Sequence, residues 1–531
     1  MKKLINLMGI LQVVVMACAS QPLRQAQDRP NVIFVIFDDL GSRLACYGNP
    51  HTITPNFDSF AESGVRFDNM FCQQSICSAS RASFLTGVRP NVTGVDFPYT
   101  KWFVKNFLPK HPAFTRYFFE NGYAVKTYGK IHHGPTLDGQ VMMHEDFSEP
   151  WVDGNKPRYA LAENRRLEKN RAIKTKGKIR TDLPSAFECA DVGDFDYMDG
   201  DIARQVIEDL GRFKELDKPF FLGVGFWLPH IPYNAPKKYW DLYDPDQIEC
   251  FDCTDYPEGS YKWSHAGNRT QRKDGSWELR GGTAAQAGKK YSNPPNNRIE
   301  GEYAKKLLQG YYASVSYCDA LFGKIIDEVK RLGLWEDTVV VVASDHGYHL
   351  GEHNCWTKWN LCEFDTQVPF IMRVPGRKSL GEPCDKLVEM VDLFPTFCDL
   401  AGLEKPDYLE GASFLPLFDD AKQLWKKAAF SNYQRNFHMK DGVLEGSAMR
   451  TEDYRYIEWR KKSDNTLVGT ELYDRKKDPF EMKNVARSLE YRETLKQHAT
   501  MMEQGWKQCL PPGVVNHSSN AQGDESQYGY E

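Results

Sequence analysis

The chain has 531 residues, 41% of them hydrophobic and 26% charged, which is enough to bury a large core and is the composition of a soluble globular protein. Its 67 basic and 72 acidic residues leave a formal net charge of -5, which excludes an overall electrostatic pull toward nucleic acid or anionic membranes. Thirteen cysteines at irregular spacing exclude a repeated CxxC zinc framework.

The opening "MKKLINLMGILQVVVMAC" joins Lys2 and Lys3 to a short apolar run and Ala17 before Cys18. The run is too short to span a bilayer. Residues 1–18 read as an export signal, either of lipoprotein type with Cys18 the residue to be lipidated or an ordinary cleaved signal in which that cysteine is incidental, and residues 19–29 as a polar tether. The expectation is an exported protein, held in the periplasm, on the outer membrane or secreted, whose membrane attachment is an N-terminal lipid.

"NVIFVIFDDL" (31–40) is a continuous apolar run, the mark of a strand buried on both faces, and it ends in Asp38-Asp39. Residues 54–67 read as an amphipathic helix closed by Gly64. Then comes "SICSASRASFLTG" (75–87), which sets Cys77 among small residues with Arg81 four positions on. Residues 114–130 read as a helix stopped at Gly122 and then a strand. The segments 135–200 and 250–300 are polar and weakly periodic, and read as long loops or insertions. The first holds a basic run, "KNRAIKTKGKIR" (169–180), that either greets a polyanion or is a solvated face; in the second, Cys250 and Cys253 are candidates for a tight disulfide.

Buried strands are predicted at 220–226, 338–347 and 369–376, a long helix at 303–333, and a helix with a proline break at 386–403. From about residue 425 the pattern alternates, as in antiparallel strands. The fold class is therefore α/β: an α/β domain over 30–424 and a smaller α+β subdomain over 425–531. In such sheets ligands collect at the carboxyl ends of the strands, where Asp38-Asp39 and Asp345-His346 both fall. Three carboxylates and one neutral imidazole there suit a hard divalent cation. His349 and His353, close behind in sequence, are open between a structural and a substrate-facing role.

Cys77-Ser-Ala-Ser-Arg81 followed by "ASFLTG" matches the sulfatase signature. With "DDL", "GKIHH", "LPHIPY", "SDHGYHLGEH" and "WTKW" in order, the chain resembles the type I, formylglycine-dependent sulfatases, and more closely the branch that contains iduronate-2-sulfatase. The resemblance runs from Asn31 to "ELYDRKKDPFEMKNVA" and implies a bacterial polysaccharide sulfatase. It also implies an alkaline-phosphatase-like sandwich, in which a large, mostly parallel sheet is flanked by helices.

In that family the motif cysteine is oxidised to formylglycine (3-oxoalanine) by a formylglycine-generating or anaerobic sulfatase-maturating enzyme. The aldehyde hydrates to a gem-diol; one hydroxyl attacks sulfur, and deprotonation of the other reforms C=O and expels sulfate. The resemblance implies one Ca²⁺ held by Asp38, Asp39, Asp345 and His346, with modified Cys77 as a further ligand. Arg81 would support the diol and Lys130 neutralise its oxygens. His133, chosen over His132 by the family spacing, would take the proton at collapse. Lys358 and His230 would bind sulfate, with His230 favoured to protonate the leaving oxygen. Asp96, Phe97 and Tyr348 align with substrate-side segments.

Alanine (Ala79) stands where most of the family has proline. The implied substrate is a 2-O-sulfated uronic acid or similar sugar in a polysaccharide such as ulvan, carrageenan or glycosaminoglycan. Two rivals stand beside this reading: a phosphoesterase of the same superfamily, and a catalytically dead glycan-binding surface lipoprotein.

Overall fold

Alternate residues of β1 (Asn31–Asp38) enter two different cores. Ile33, Val35 and Phe37 pack with the helices Met198–Lys214 and Gly301–Arg331 on one side. Val32, Phe34 and Ile36 pack with the helices Cys77–Thr86 and Leu393–Ala401 on the other. A strand with no solvent face has no reason to alternate, which is why its sequence is an unbroken apolar run. The computed structural model describes residues 29–95, 103–133, 154–171, 185–251, 253–261, 263–265, 269–271, 277–279, 299–435 and 442–519. The export signal with Cys18, Asp96, Phe97 and most of the basic run lie outside them.

The other strands are β2 (Val65–Phe71), β3 (Ala124–Gly129), β4 (Phe187–Ala190), β5 (Phe220–Pro229), β6 (Tyr233–Pro236), β7 (Arg269–Gln271), β8 (Trp277–Leu279), β9 (Thr338–Ser344), β10 (Gln367–Arg373) and β11 (Pro383–Glu389). The main sheet has seven strands in the order β11-β2-β10-β9-β1-β5-β3, and only β10 runs antiparallel to its neighbours. β4 pairs with β6 and β7 with β8 in two small sheets. This is the alkaline-phosphatase-like sandwich. Register sets up the site: β1 and β9 pair from Asn31 with Thr338 to Phe37 with Ser344, so Asp38 and Asp345 emerge side by side at the carboxyl ends.

Past residue 425 the chain forms a four-stranded antiparallel meander, β12 (Ala429–Arg435), β13 (Leu444–Arg450), β14 (Tyr454–Lys461) and β15 (Leu467–Asp474). One face, through Tyr433, Ala448, Ile457 and Trp459, packs on Ile76, Ala79 and Ala82. The other, through Met449, Tyr456 and Leu472, packs toward Tyr491 and the helix Arg492–Gln504. The helix Cys77–Thr86 thus lies between two sheets, with all ten residues buried.

Three expectations need correction. Residues 386–389 belong to β11, and the helix is Leu393–Ala401. Reciprocal bonds between Glu389 and Asp392 cap the turn between them, and Pro395 falls in the helix's first turn, where it breaks nothing. Cys250 is exposed, Cys253 is buried, and the two are not disulfide-bonded. Within the supposed loop 135–200, Ala162–Arg171 is a helix.

Glu471 on β15 is fully buried; its Oε1 accepts from Tyr261 N at 3.0 Å and Ser264 Oγ at 2.5 Å, tying residues 261–264 to the C-terminal sheet. Burial pushes its carboxyl up to about 7, against the lowering effect of these bonds. A carboxyl raised on folding stabilises fully below its unfolded value, and that stability is lost as pH rises through the folded value. Glu471→Gln keeps the acceptor and removes the titration. Chemical denaturation from pH 4.5 to 8 should show the variant's stability falling less with pH, the two curves separating by about 3 kcal/mol at most. Parallel curves would show that Glu471 does not titrate in this range.

Candidate active site

The site is built where β1, β9 and the helix Cys77–Thr86 meet. Cys77 opens that helix, at the end where unpaired backbone N–H groups favour negative charge. Arg81 lies four residues on, one turn down the same face. Its Nε donates to Asp345 Oδ2 at 2.8 Å and its Nη1 to the backbone carbonyls of Lys130 and Ile131, the latter at 3.1 Å. The second terminal nitrogen, Nη2, is buried with no hydrogen-bond partner among the described residues.

Close backbone packing brings Lys130 in. Gly129 sits at φ +60°, and a Cβ on it would strike Gly225 O, while a Cβ on Gly225 would strike Lys130 O. Only with glycine at both places can β3 and β5 approach so that Lys130 N donates to Gly225 O at 2.7 Å and Lys130 Nζ reaches Asp38 Oδ2. Asp39 holds the left-handed conformation, φ 68°, rare for a residue with a side chain. Tyr311 braces it by donating its hydroxyl to Asp39 O at 2.8 Å and accepting from Gly41 N at 3.0 Å.

Lys358 arrives from the loop after β9. Its Nζ donates to Asp39 Oδ1 at 2.7 Å and stands 3.7 Å from Asp38 Oδ1 and 4.0 Å from Cys77 Sγ. His230, in the turn after β5, places Nε2 3.9 Å from Asp39 Oδ2; its side chain is 30% exposed, so the site opens on its side. His133 is partly buried after Lys130, and burial, with Lys130 beside it, lowers its pKa to about 3. Asp38, Cys77, Asp345, His346 and Lys358 are all buried.

Electrostatics make this pocket ready for a cation. Burial alone would raise the Asp38 carboxyl, but Lys130, Lys358, His230 and Arg81 hold it well below the usual range. Asp39 is pushed up to about 7 by burial and by its carboxylate neighbours Asp38 and Asp345, against Lys358. Burial opposes ionisation of Cys77, yet Lys130 and Lys358 draw its pKa down. Burial also holds His230 well below the normal histidine range, whereas Asp39, Cys77 and Asp38 outweigh burial at Lys358 and keep it protonated.

Among the described residues, Asp38 Oδ1, Asp345 Oδ1 and His346 Nε2 converge without a hydrogen-bond partner. His346 Nδ1 lies 2.9 Å from Gly347 O, an acceptor only, so that nitrogen carries the proton and Nε2 is left as a donor to metal. Nε2 lies 3.8 Å from Asp38 Oδ1 and 3.5 Å from Asp345 Oδ1. Ligands bound at about 2.4 Å and at right angles stand about 3.4 Å apart, so the spacing fits a divalent ion of calcium size. Asp38, Cys77 and His346 also bring ligand atoms within 4.8 Å of one another. The residues present therefore fit one hard cation, and a Cys77 side chain within its reach.

Of the sequence candidates, the structure gathers Asp38, Asp39, Cys77, Arg81, Lys130, His133, His230, Asp345, His346 and Lys358 around one pocket. Tyr348 is placed differently: 4% exposed, it donates to Trp356 O at 3.1 Å and stacks on Tyr311, supporting the site from behind. Sequence reasoning missed Tyr311, and it missed Arg158, whose guanidinium lies 5.6 Å from the Trp227 ring that Lys130 also faces. A tyrosine inside a helix and a lone arginine in a polar stretch give no signal of either role.

A sulfatase family model matches residues 30–403. The chain belongs to the sulfatase family. It is a sulfuric ester hydrolase. A second model, the C-terminal part of N-sulphoglucosamine sulphohydrolase, matches residues 351–508. This sulfatase is 31% identical to human iduronate 2-sulfatase over 510 residues, covering 85% of this chain and 88% of that one. It is 29% identical to a sulfatase of Formosa agariphila, covering 91% and 89%. A protein solved in complex with its substrate D-glucosamine-2-N,6-O-disulfate shares the fold, at TM-score 0.67 and 22% identity, over 90% of this chain and 98% of the other.

Proposed function

We propose that this sulfatase removes sulfate from a sugar of a sulfated polysaccharide or oligosaccharide, with a 2-O-sulfated uronic acid in ulvan, carrageenan or glycosaminoglycan as the first candidate. One observation carries the reading: Cys77 opens a buried helix within reach of Lys130, Lys358 and an Asp38–Asp345–His346 cation cradle. The similarity to human iduronate 2-sulfatase supports the sugar class. Export with Cys18 as lipid anchor is part of the same proposal; among the described residues no helix is long and apolar enough to cross a membrane.

In this reading Cys77 is converted to formylglycine by a maturating enzyme, and its hydrated aldehyde supplies an oxygen nucleophile with a second hydroxyl for release. Asp38, Asp39, Asp345 and His346 would hold one Ca²⁺, which would polarise the sulfate and make a nearby hydroxyl more acidic. The side chains of this chain do the rest. Arg81 offers its unused Nη2 to the nucleophile's oxygens and, through Asp345, fixes the cradle. Lys130 offsets negative charge on the same oxygens from the Asp38 side. His133, neutral across the working range, takes a proton. Lys358 and His230 bind the sulfate at the open edge, the former as a fixed cation. His230 Nδ1 faces Ile231 O at 2.7 Å, so Nε2 is free to receive a proton when an anionic ester arrives beside it and to pass it to the leaving oxygen.

The test is mass spectrometry of the peptide spanning residues 73–81 from the native host, with turnover of p-nitrophenyl sulfate against p-nitrophenyl phosphate in added Ca²⁺ or Zn²⁺. Formylglycine at 77 and Ca²⁺-supported sulfate ester cleavage are expected. Unconverted cysteine overturns the nucleophile, and phosphate preference would point to the phosphoesterase reading. A panel of sulfated oligosaccharides then ranks the sugars.

A further inference from the structure

Behind the active site, the loop from β9 to β10 folds around a second cluster that the reaction does not use. His349, His353 and Cys362 place ligand atoms within 4.8 Å of one another and are buried, at 0%, 0% and 4% exposure. We propose that these three residues bind one zinc ion that locks the loop carrying Lys358.

The hydrogen bonds assign the ring nitrogens. His349 Nδ1 lies 2.7 Å from Asp365 Oδ1, and Asp365 is itself held through Oδ2 by Asn360 N at 2.8 Å. The proton therefore sits on Nδ1, and Nε2 turns its lone pair to Cys362 Sγ, 3.4 Å away. His353 Nε2 lies 2.7 Å from Phe480 O, which only accepts, so Nε2 is protonated and Nδ1 is a lone pair. That Nδ1 is buried with no hydrogen-bond partner among the described residues. A carboxylate behind one histidine and a backbone carbonyl behind the other is the outer arrangement that orients imidazoles toward zinc.

Spacing and donor chemistry agree. Zinc bonds of about 2.0 Å to nitrogen and 2.3 Å to sulfur, at the tetrahedral angle, set the two atoms about 3.5 Å apart. His265 borders the cluster without joining its ligand atoms: it is buried, and its ring centroid is 5.2 Å from that of His353. Two imidazoles and a thiolate select zinc, whereas the carboxylate-rich cradle of the active site selects a hard cation. On binding, Cys362 gives its thiol proton to solvent and the zinc–sulfur bond takes its place.

Two other readings explain less. A plain S–H···N bond from Cys362 to His349 satisfies that pair and leaves His353 Nδ1 unmet. The order Cys362–His349–Asp365 has the outline of a catalytic triad, but the thiol is buried beneath the loop and no substrate can reach it. The zinc reading also has a consequence in the fold. Lys358 lies between His353 and Cys362, so the ion closes the loop on both sides of it, and through Phe480 O the cluster leans on the C-terminal subdomain.

The experiment uses the full chain carrying Cys77→Ala, which removes the other thiol that could ligate a metal beside His346. Protein grown with zinc and dialysed is assayed for metal content and by X-ray absorption at the zinc edge. One zinc per chain, with sulfur and imidazole in its shell, is expected; adding Cys362→Ser should abolish it while the circular dichroism is kept. Cobalt in place of zinc should give a thiolate-to-cobalt charge-transfer band. Should Cys362→Ser not fold, the zinc-edge spectrum of the parent decides alone. Zinc-free protein, a shell without sulfur, or a folded Cys362→Ser chain that keeps the ion overturns the proposal.

Discussion

Cys77→Ala is expected to fold as the parent does and to lose turnover by a factor on the order of 10⁴ to 10⁶, the range seen when a covalent nucleophile is removed. Folding should be spared because position 77 begins a helix and is 4% exposed, and alanine is small and helix-favouring. Its stability should stay within about 1 kcal/mol of the parent, since only one sulfur atom is lost. Cys77→Ser separates the chemistry further. Serine restores an oxygen beside Lys130 and Lys358, yet once sulfated it has no second hydroxyl with which to expel the group. At most one turnover per chain should follow, leaving a sulfated serine for mass spectrometry to find. Sustained turnover near the parent rate in the alanine chain would refute the assignment of position 77 as nucleophile.

What could be read in the sequence follows from burial. β1 and β9 are covered on both faces and so appear as apolar runs, and the stripe on Gly301–Arg331 marks a helix against a core. Their ends carry Asp38-Asp39 and Asp345-His346, so the residues of the cation cradle were legible once a parallel sheet was inferred. The helix Cys77–Thr86 was not. It is buried all round among Ser, Ala and Arg, with Arg81 and Ser80 donating to the side chain and the carbonyl of Asp345, and so shows no apolar stripe. β2 hid for a related reason: Arg66, Asp68 and Asn69 interrupt its apolar residues, because Arg66 pairs with Asp68 along a partly exposed face of the strand. Lys130 and Lys358 come to the site from 92 and 319 residues away from their aspartates, a distance in sequence that no local pattern bridges. They were reachable through the family resemblance alone.

Arg81→Lys is expected to damage both stability and rate, because lysine keeps the charge and loses the fork. The guanidinium meets Asp345 Oδ2 through Nε while Nη1 holds the carbonyls of Lys130 and Ile131, all in a pocket where Arg81 and Asp345 are both 0% exposed. A single ammonium can hold the carboxylate or the carbonyls, not both, so buried acceptors are left unmet at a cost of about 2 kcal/mol. The same loss frees the backbone at Lys130, whose ammonium then no longer sits firmly on Asp38, and it removes Nη2 as a donor to the nucleophile. A fall in kcat of about 10²- to 10³-fold is expected, the range for one preorganised donor, with a much smaller change in KM. Denaturant melts and steady-state kinetics on p-nitrophenyl sulfate measure the two effects separately. Lost stability with kcat intact would make Arg81 a structural tie alone. Lost kcat at full stability would mean that Nη2 and the charge act on the substrate side and that the carbonyl contacts matter little. The positions of both Asp345 and Lys130 rest on this one side chain, so the expected result is that the two losses come together.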